Sequence, residues 1–189
     1  SIGDVAVGLA KAGIDIISIS GEKGKTGASP YSATYHAGLP VEIGISLAHQ
    51  ALVENGLRDI VRIRADEGFK CGEHIVKAIL LGADEIAEGQ ALLIAAERCI
   101  DCNLCSDGVS CPAGICGHGD EVEARMMSQK TGTKTRLIDF EKTLTPEDQE
   151  VLIERIAQNT VRYITKQAED AVEILRKFGF SSVEEAVGR

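Results

Sequence analysis

The sequence predicts an α/β fold: a small parallel sheet laid down as strand, helix, strand, helix, strand, followed by a cysteine-rich loop and a helical tail. Three observations predict it. Short runs of strand length, the β-branched "DIISIS" (15–20), "DIVRIRAD" (59–66) and the brief "DEIAEG" (84–89), alternate with stretches whose apolar residues recur at helical spacing. Five of the six cysteines fall within "CIDCNLCSDGVSCPAGIC" (99–116). Beyond Pro146, no glycine or proline interrupts the chain until Gly179.

The elements follow in order. Val5, Leu9 and Ala12 mark an amphipathic helix that Gly13 stops, and "DIISIS" has the length and composition of a buried strand. "GEKGKTGASP" (21–30) carries three glycines in ten positions, suited to a backbone that turns sharply or approaches a ligand closely. Pro40 sits where a first helical turn tolerates it. Val41, Ile43, Leu47 and Ala51 fall largely on one face, and Gly56 after Asn55 ends that helix. The strand at 59–66 leads into "HIVKAILLGA", a helix ended by Gly82, and the third strand is short. Helix-length connections between successive strands imply a parallel sheet with right-handed crossovers. In the tail, Thr145-Pro146-Glu147-Asp148 supplies a cap, a proline at the first helical position and acidic residues in the first turn. Val151, Leu152, Val161, Ile164, Ala168, Val172 and Leu175 form its apolar stripe, and Ser182-x-x-Glu185 starts a closing helix by capping-box logic.

Composition excludes several function classes. A chain of 189 residues, 44% hydrophobic and 26% charged, can bury a real core. Its formal charge of −9 leaves no basic stripe to neutralise phosphates, which argues against nucleic acid as a partner. No apolar run approaches the roughly 20 residues that span a bilayer, and no charged-then-apolar leader opens the chain, so the expected location is cytoplasmic. Ser1-Ile2-Gly3 already reads as helix, so a preceding part is expected on another polypeptide or to have been removed.

Parallel α/β sheets bind ligands at the carboxyl ends of their strands. Those ends are Gly21–Gly27, Asp66–Gly72 and Glu88–Gln90, and each bears glycine. Glycines also punctuate turns with no ligand, but three such loops in succession favour a binding site. The cysteines from Cys99 are spaced C-x2-C-x2-C-x5-C-P, with Cys116 beyond, and free thiols at that density are reactive unless something binds them. Disulfides suit an oxidising compartment, and structural zinc usually takes two pairs separated by a longer spacer. The close triplet followed by Cys-Pro is nearer to the iron–sulfur pattern of bacterial ferredoxins, whose last gap is x3. Cys71, alone between a strand and a helix, reads as a small hydrophobe or loop residue.

Taken in order, "ISISGEKGKTGASP", "HAGLPVEIG", "NGLRDIVRIRADEGFKCG", "ILLGADE" and the cysteine loop resemble the FMN-binding synthase domain of glutamate synthase, from about residue 3 to Arg189. The resemblance implies a TIM barrel, of which this chain matches the last three βα units. It divides the chain into a partial barrel on the FMN and substrate side (1–98), an iron–sulfur loop (99–119) and a helical segment packing on the barrel (120–189). Another chain or segment would supply the missing strands, because an open parallel edge is unstable on its own. The implied activity combines glutamine-derived ammonia with 2-oxoglutarate and reduces the resulting 2-iminoglutarate to L-glutamate with reduced FMN. An iron–sulfur cluster relays electrons from an NAD(P)H or ferredoxin donor component, and a glutaminase component supplies the ammonia. The family's 3Fe–4S ligands match Cys99, Cys105 and Cys111, with one extra residue in the second gap. Cys102 makes a fourth thiol available, and with it a 4Fe–4S cluster; Cys116 is a weaker candidate. The backbone of Gly68 and the Glu88-Gly89-Gln90 turn would cradle the FMN phosphate, beside Asp66. Ser20, Gly21, Thr26, Gly27 and Ala28 would lie near flavin and substrate.

Departures from the family pattern carry chemistry of their own. Where the family often reads S-G-H-D-G-G-T-G-A, this chain has Ser20-Gly21-Glu22-Lys23-Gly24-Lys25-Thr26-Gly27-Ala28, and for D-G-G it has Asp66-Glu67-Gly68. Glu88 adds a further acid, and carboxylates facing a phosphate repel it unless they point away. Lys23 or Lys25 offsets them or is a solvated loop charge. His36, His49, His74 and His118 each stand alone at their spacing, which favours packing or surface roles, so no catalytic residue is assigned. Two alternatives to glutamate synthase remain at this stage: a related flavin oxidoreductase with another substrate, and an iron–sulfur electron-transfer subunit without flavin.

Overall fold

Side-chain alternation along the strands decides where the core lies. In a computed structural model that describes residues 1–22, 32, 37–66, 68–99 and 143–189, β1 (Ile16–Ser20), β2 (Arg62–Asp66) and β3 (Glu85–Ala87) form one parallel sheet in the order β1-β2-β3. Ile17 pairs with Ile63 and Ile19 with Ala65, all four buried on one face. The other face is polar: Ser18, Arg64 and Glu85 share a row, as do Ser20, Asp66 and Ala87. Arg64 donates to Glu85 at 2.7 Å, and Arg62 reaches the same carboxylate at 3.0 Å. The β-branched run at 15–20 is therefore buried on one side only. A parallel sheet ordinarily has both faces covered.

Helices α1 (Ile2–Lys11), α2 (Val41–Glu54) and α3 (Gly72–Leu81) accompany the sheet, with α2 linking β1 to β2 and α3 linking β2 to β3. The faces they bury differ from those expected. In α1 the buried residues are Gly3, Ala6 and Ala10, whereas Val5 is 59% exposed and Leu9 is exposed as well. The reason is close approach: a Cβ at Gly3 would lie 2.8 Å from Ala51 Cβ, so the α1–α2 contact admits only small side chains. In α2 the buried line is Val41, Ile45, Ala48 and Leu52, with Ile43 and Leu47 exposed. Apolar residues flank both sides of this helix, and the sheet selects the side on which Gly44 lets the backbone come down on Ile19. Ile45, Leu52 and Ile63 are fully buried, each worth about 1.5–3 kcal/mol relative to exposure.

After β3 come α4 (Gln90–Ala95), the long α5 (Pro146–Lys177) and the short α6 (Val183–Ala186). Thr145 caps α5: its hydroxyl accepts the Asp148 amide at 3.2 Å and donates to the Asp148 carboxylate at 2.9 Å. The buried positions of α5 are Gln167, Ala171 and Leu175. Of the expected stripe, Val151 is 70% exposed, and Val161 and Ile164 are exposed too. Val76 and Ile79 of α3, Ala171 and Leu175 of α5 and Ala186 of α6 form a second apolar cluster. A short 3-10 turn, Arg58–Ile60, occupies residues expected to begin β2. Arg58 pins that turn by donating to Val61 O at 2.9 Å and Gly82 O at 3.0 Å.

Helices α1, α2, α3 and α5 end alike. Gly13, Gly56, Gly82 and Gly179 have φ of +86°, +67°, +115° and +90°, and the amide of each bonds three residues back while the next amide bonds five back. This is the Schellman closure, which satisfies the last helical carbonyls. The chain forms two compact units, one of Ser1–Gly24, Ala37–Gly89 and Thr165–Arg189, the other of Lys25–His36 and Gln90–Ile164. No described helix is long and apolar enough to cross a membrane.

Candidate functional site

Parallel register brings three expected residues to one end of the sheet. Ser20 pairs with Asp66 at the last position of β1 and β2, and its hydroxyl donates to the Asp66 carboxylate at 3.3 Å. The Gly21 amide donates to Asp66 O at 3.3 Å, continuing the ladder by one residue. The Glu22 amide donates to Leu39 O at 2.9 Å. Thr26, Gly27 and Ala28, with Lys23 and Lys25, lie outside the described residues, as do Glu67, His36 and His118.

Beyond β2, Gly68 takes a φ of +49° and a Cβ there would meet nothing within 4 Å. Gly89, after β3, is equally open. Between β3 and Gly89 stands Glu88, whose Oε2 is buried with no hydrogen-bond partner. Burial pushes its carboxyl above the usual range, and a hydrogen bond from Gln167 pulls it part of the way back. Gln167, 5% exposed, comes from α5. Close by in α5, a Cβ at Gly72 would lie 2.6 Å from the Ala171 backbone nitrogen, so α3 and α5 meet backbone to backbone at the first residue of α3. The carboxyl ends of β1 and β2 thus share one hydrogen-bonded row, and that of β3 carries a carboxyl that resists ionisation. Sequence reasoning missed Gln167, because a buried glutamine in a tail helix has no local signature.

Of the cysteines, Cys71 and Cys99 are described, neither in a disulfide, and no metal-binding cluster occurs among the described residues. Cys71 is the half-buried N-cap of α3. Beside it, the His74 Nδ1 accepts the Lys70 amide at 3.4 Å. Cys99 lies just past α4, and its sulfur is 3.9 Å from the Gln90 amide nitrogen, which donates to it. Gln90, expected at the phosphate turn, thus opens α4 and directs a donor to a cysteine. Cys102, Cys105, Cys111 and Cys116 lie outside the described residues. Two residues before Cys99, Glu97 adopts a φ of +58°. Its carboxylate accepts from Arg155 at 2.7 Å and from Asn159 at 2.8 Å, both on α5.

His49 belongs to the opposite end of the sheet. Arg58 Nε donates to its Nδ1 at 3.0 Å, and the same guanidinium pairs with Asp84, the residue before β3, at 2.7 Å. Asp84 also accepts the Ile63 amide at 2.7 Å. Gly82 and Gly188 press on the ring, at 2.5 and 2.3 Å from where a Cβ would stand. Burial and Arg58 together hold the imidazole below its usual pKa. These contacts make His49 a packing residue, the role its isolated spacing suggests.

Known proteins are similar to this chain over much or all of its length. A family described as the conserved region in glutamate synthase matches residues 1–159. The ferredoxin-dependent glutamate synthase of Cyanidium caldarium is 37% identical over 188 residues, which is 100% of this chain and 10% of that protein. The NADPH glutamate synthase large chain of Azospirillum brasilense is 40% identical over 188 residues, with the same two shares. Ferredoxin-dependent glutamate synthase 2 of a Synechocystis species is 46% identical over 124 residues, 66% of this chain and 8% of its own. The chain spans about a tenth of the length of the curated relatives it matches.

Proposed function

The chain belongs to the glutamate synthase family, and on that premise we propose that it forms the last part of a synthase barrel that reductively makes L-glutamate from 2-oxoglutarate and glutamine-derived ammonia. The observation that carries this reading is the carboxyl-end row of Ser20, Gly21 and Asp66, with open glycine turns at Gly68 and Gly89 after the neighbouring strands. The polar sheet face, with its Arg62, Arg64 and Glu85 network, is the inner surface such a barrel would close over. The missing strands would come from another segment or chain.

The residues present fit FMN. Gly68 and Gly89 leave backbone accessible for a phosphate, and burial raises the Glu88 carboxyl, which lessens its repulsion of a phosphate wherever it holds its proton. Gly68 with Glu88, Gly89 and Gln90 would hold the phosphate, beside Asp66, and by the family resemblance Ser20, Gly21, Thr26 and Gly27 would lie near flavin and substrate. When bound, FMN supplies the electron pair that reduces the imine carbon. The chain's part is to orient that carbon and exclude water.

The donor chemistry at Cys99 likewise fits an iron–sulfur cluster. Its sulfur receives an amide N–H, an arrangement that stabilises thiolate charge. Cys105 and Cys111 would complete a 3Fe–4S site and Cys102 a 4Fe–4S site, within a cluster loop at 99–119. Electrons would arrive from ferredoxin or an NAD(P)H component, ammonia from a glutaminase component, and the reaction would take place in the cytoplasm.

The test is anaerobic purification of the complete polypeptide or complex, followed by measurement of flavin released on denaturation, iron and sulfide, and glutamate formed from 2-oxoglutarate with glutamine or ammonia. Stoichiometric FMN, a cluster and glutamate formation are expected. Cluster absorption without FMN would overturn the flavin reading and leave an iron–sulfur electron-transfer subunit. Flavin reduction without glutamate would leave an oxidoreductase for another substrate.

A further inference from the structure

Five helices close with the same pair of reach-back hydrogen bonds, and one of them does so against its backbone preference. In α4 the Glu97 amide bonds to Ile94 O at 3.0 Å and the Arg98 amide to Leu93 O at 2.7 Å, the pattern that Gly13, Gly56, Gly82 and Gly179 make elsewhere. Glu97 is the single non-glycine residue with positive φ among the described residues. A Cβ in the left-handed region crowds the neighbouring carbonyl, which is why glycine holds this place in the other four helices.

Its side chain supplies the reason for the exception. One carboxylate oxygen accepts from Arg155 at 2.7 Å and the other from Asn159 at 2.8 Å. Arg155 and Asn159 stand four residues apart, so they project from one face of α5. Arg155 and Glu97 are 58% and 43% exposed, and a lone ion pair at that exposure contributes little. Here the carboxylate is held at both oxygens, on a residue whose backbone is fixed by the helix closure. That closure continues into Cys99, whose amide shares Leu93 O at 3.0 Å and whose sulfur accepts from Gln90.

We infer that Glu97, Arg155 and Asn159 form a clamp whose task is to position Cys99 for cluster binding. All three are positioning residues, since each would act through Cys99 rather than on the cluster itself. A glycine at residue 97 would close the helix with less strain, but only a long side-chain acceptor joins the start of the cysteine stretch to α5. The inference rests on the proposal that Cys99 is a cluster ligand.

The experiment uses the complete anaerobically purified polypeptide, comparing wild type with Glu97→Gly, Glu97→Gln, the pair Arg155→Ala with Asn159→Ala, and Cys99→Ser. Iron and sulfide content, the EPR spectrum and the rate of iron loss to a chelator are read, with thermal unfolding as the control for folding. Glu97→Gly is expected to unfold no earlier than wild type, because glycine suits the turn. It is nevertheless expected to lose iron about ten-fold faster and to show an altered spectrum, in line with what outer partners of a metal ligand contribute. The Arg155/Asn159 pair should reproduce that loss, Glu97→Gln should retain part of the protection through Asn159, and adding Glu97→Gly to the pair should change nothing further. Wild-type iron retention and spectrum in both Glu97→Gly and the pair would overturn the clamp while leaving Cys99 a ligand. An unchanged cluster in Cys99→Ser, or a wild type without iron, would overturn the ligand assignment and the clamp with it.

Discussion

His49 receives a hydrogen bond from Arg58 on Nδ1, so that nitrogen must carry a lone pair while the contact lasts. Protonation would remove the acceptor and set a second cation against the guanidinium, and only Asp84 opposes this. With the native pKa depressed below the ordinary value of about 6.5, the unfolded chain binds a proton that the native protein refuses. Stability should therefore be full above about pH 7 and decline as pH falls through 6. Urea midpoints across that range should show the decline, and Arg58→Ala, by removing the cation, should flatten it. Glu88 has the opposite sign. Its carboxyl is raised, so the native state holds a proton that the unfolded chain releases, and stability falls as pH rises above about 4.5. Glu88→Gln should unfold at higher urea than wild type at pH 8, with the difference narrowing at pH 5; equal midpoints at both values would show that the carboxyl ionises freely. If the turn holds phosphate, wild-type FMN affinity should also weaken with rising pH while that of Glu88→Gln does not. From the sequence, Glu88 was visible as an extra acid at a strand end, but the burial that raises its carboxyl comes from tertiary packing, and the Gln167 side chain that partly offsets it lies 79 positions away (167 − 88). No local pattern encodes such a partner.

At the scale of elements, close packing decides what apolar periodicity leaves open. The order of strands and helices was legible because each strand is bounded by a glycine stop or a polar turn, and four helices end at the glycines that signal their ends. The buried faces were less legible. Val5, Leu9, Ile43 and Leu47 look like core residues, yet α1 and α2 approach so closely at Gly3 and Ala51 that alanines and glycine take the contact. A helix with apolar residues on two sides offers two candidate faces, and the choice is made by neighbours distant in sequence. The same physics gives a sharp test at the α3–α5 contact. A Cβ on Gly72 would stand 2.6 Å from Ala171 N and 2.7 Å from Asp170 Cβ, and these atoms belong to or adjoin the backbone, so no flexible tip can yield. Gly72→Ala should cost about 1–3 kcal/mol, the usual penalty of forcing atoms into a packed contact. Gly8, where an added Cβ meets nothing within 4 Å, is the control: Gly8→Ala lies inside α1 and should stabilise by up to about 1 kcal/mol through helix propensity. Denaturant midpoints of the two variants should move in opposite directions. A neutral Gly72→Ala would mean that α5 does not bear on α3 as closely as described.

For the molecule as a whole, the sheet poses the question that the family reading answers. Its apolar face is covered by helices of this chain, whereas the face bearing Ser18, Ser20, Arg62, Arg64 and Glu85 has side chains exposed or half-buried, and β1 and β3 are both edge strands within the described sheet. A charged, one-sided parallel sheet is uncommon unless that face lines the inside of a closed barrel, where polar side chains can pair in layers. The row of Ser18, Arg64 and Glu85 is already one such layer. If preceding strands complete the barrel, the outer edge of β1 acquires a hydrogen-bonded neighbour and the Arg62, Arg64 and Glu85 network is taken out of bulk water. Hydrogen exchange can observe both changes. In the 189-residue chain alone, backbone amides of β1 that do not point toward β2 should exchange at rates close to those of an open edge, and high salt should weaken the arginine–glutamate network through screening. In the longer polypeptide the same amides should be protected by several orders of magnitude, as core strands are, and the salt dependence should largely vanish. Glu85→Gln separates the two contributions: it should destabilise the longer polypeptide more than the isolated chain, because it leaves two arginines facing each other in a closed interior rather than in solvent. Equal protection of β1 in both forms would mean that its edge is already satisfied within this chain, and the partial-barrel reading would then have to be abandoned.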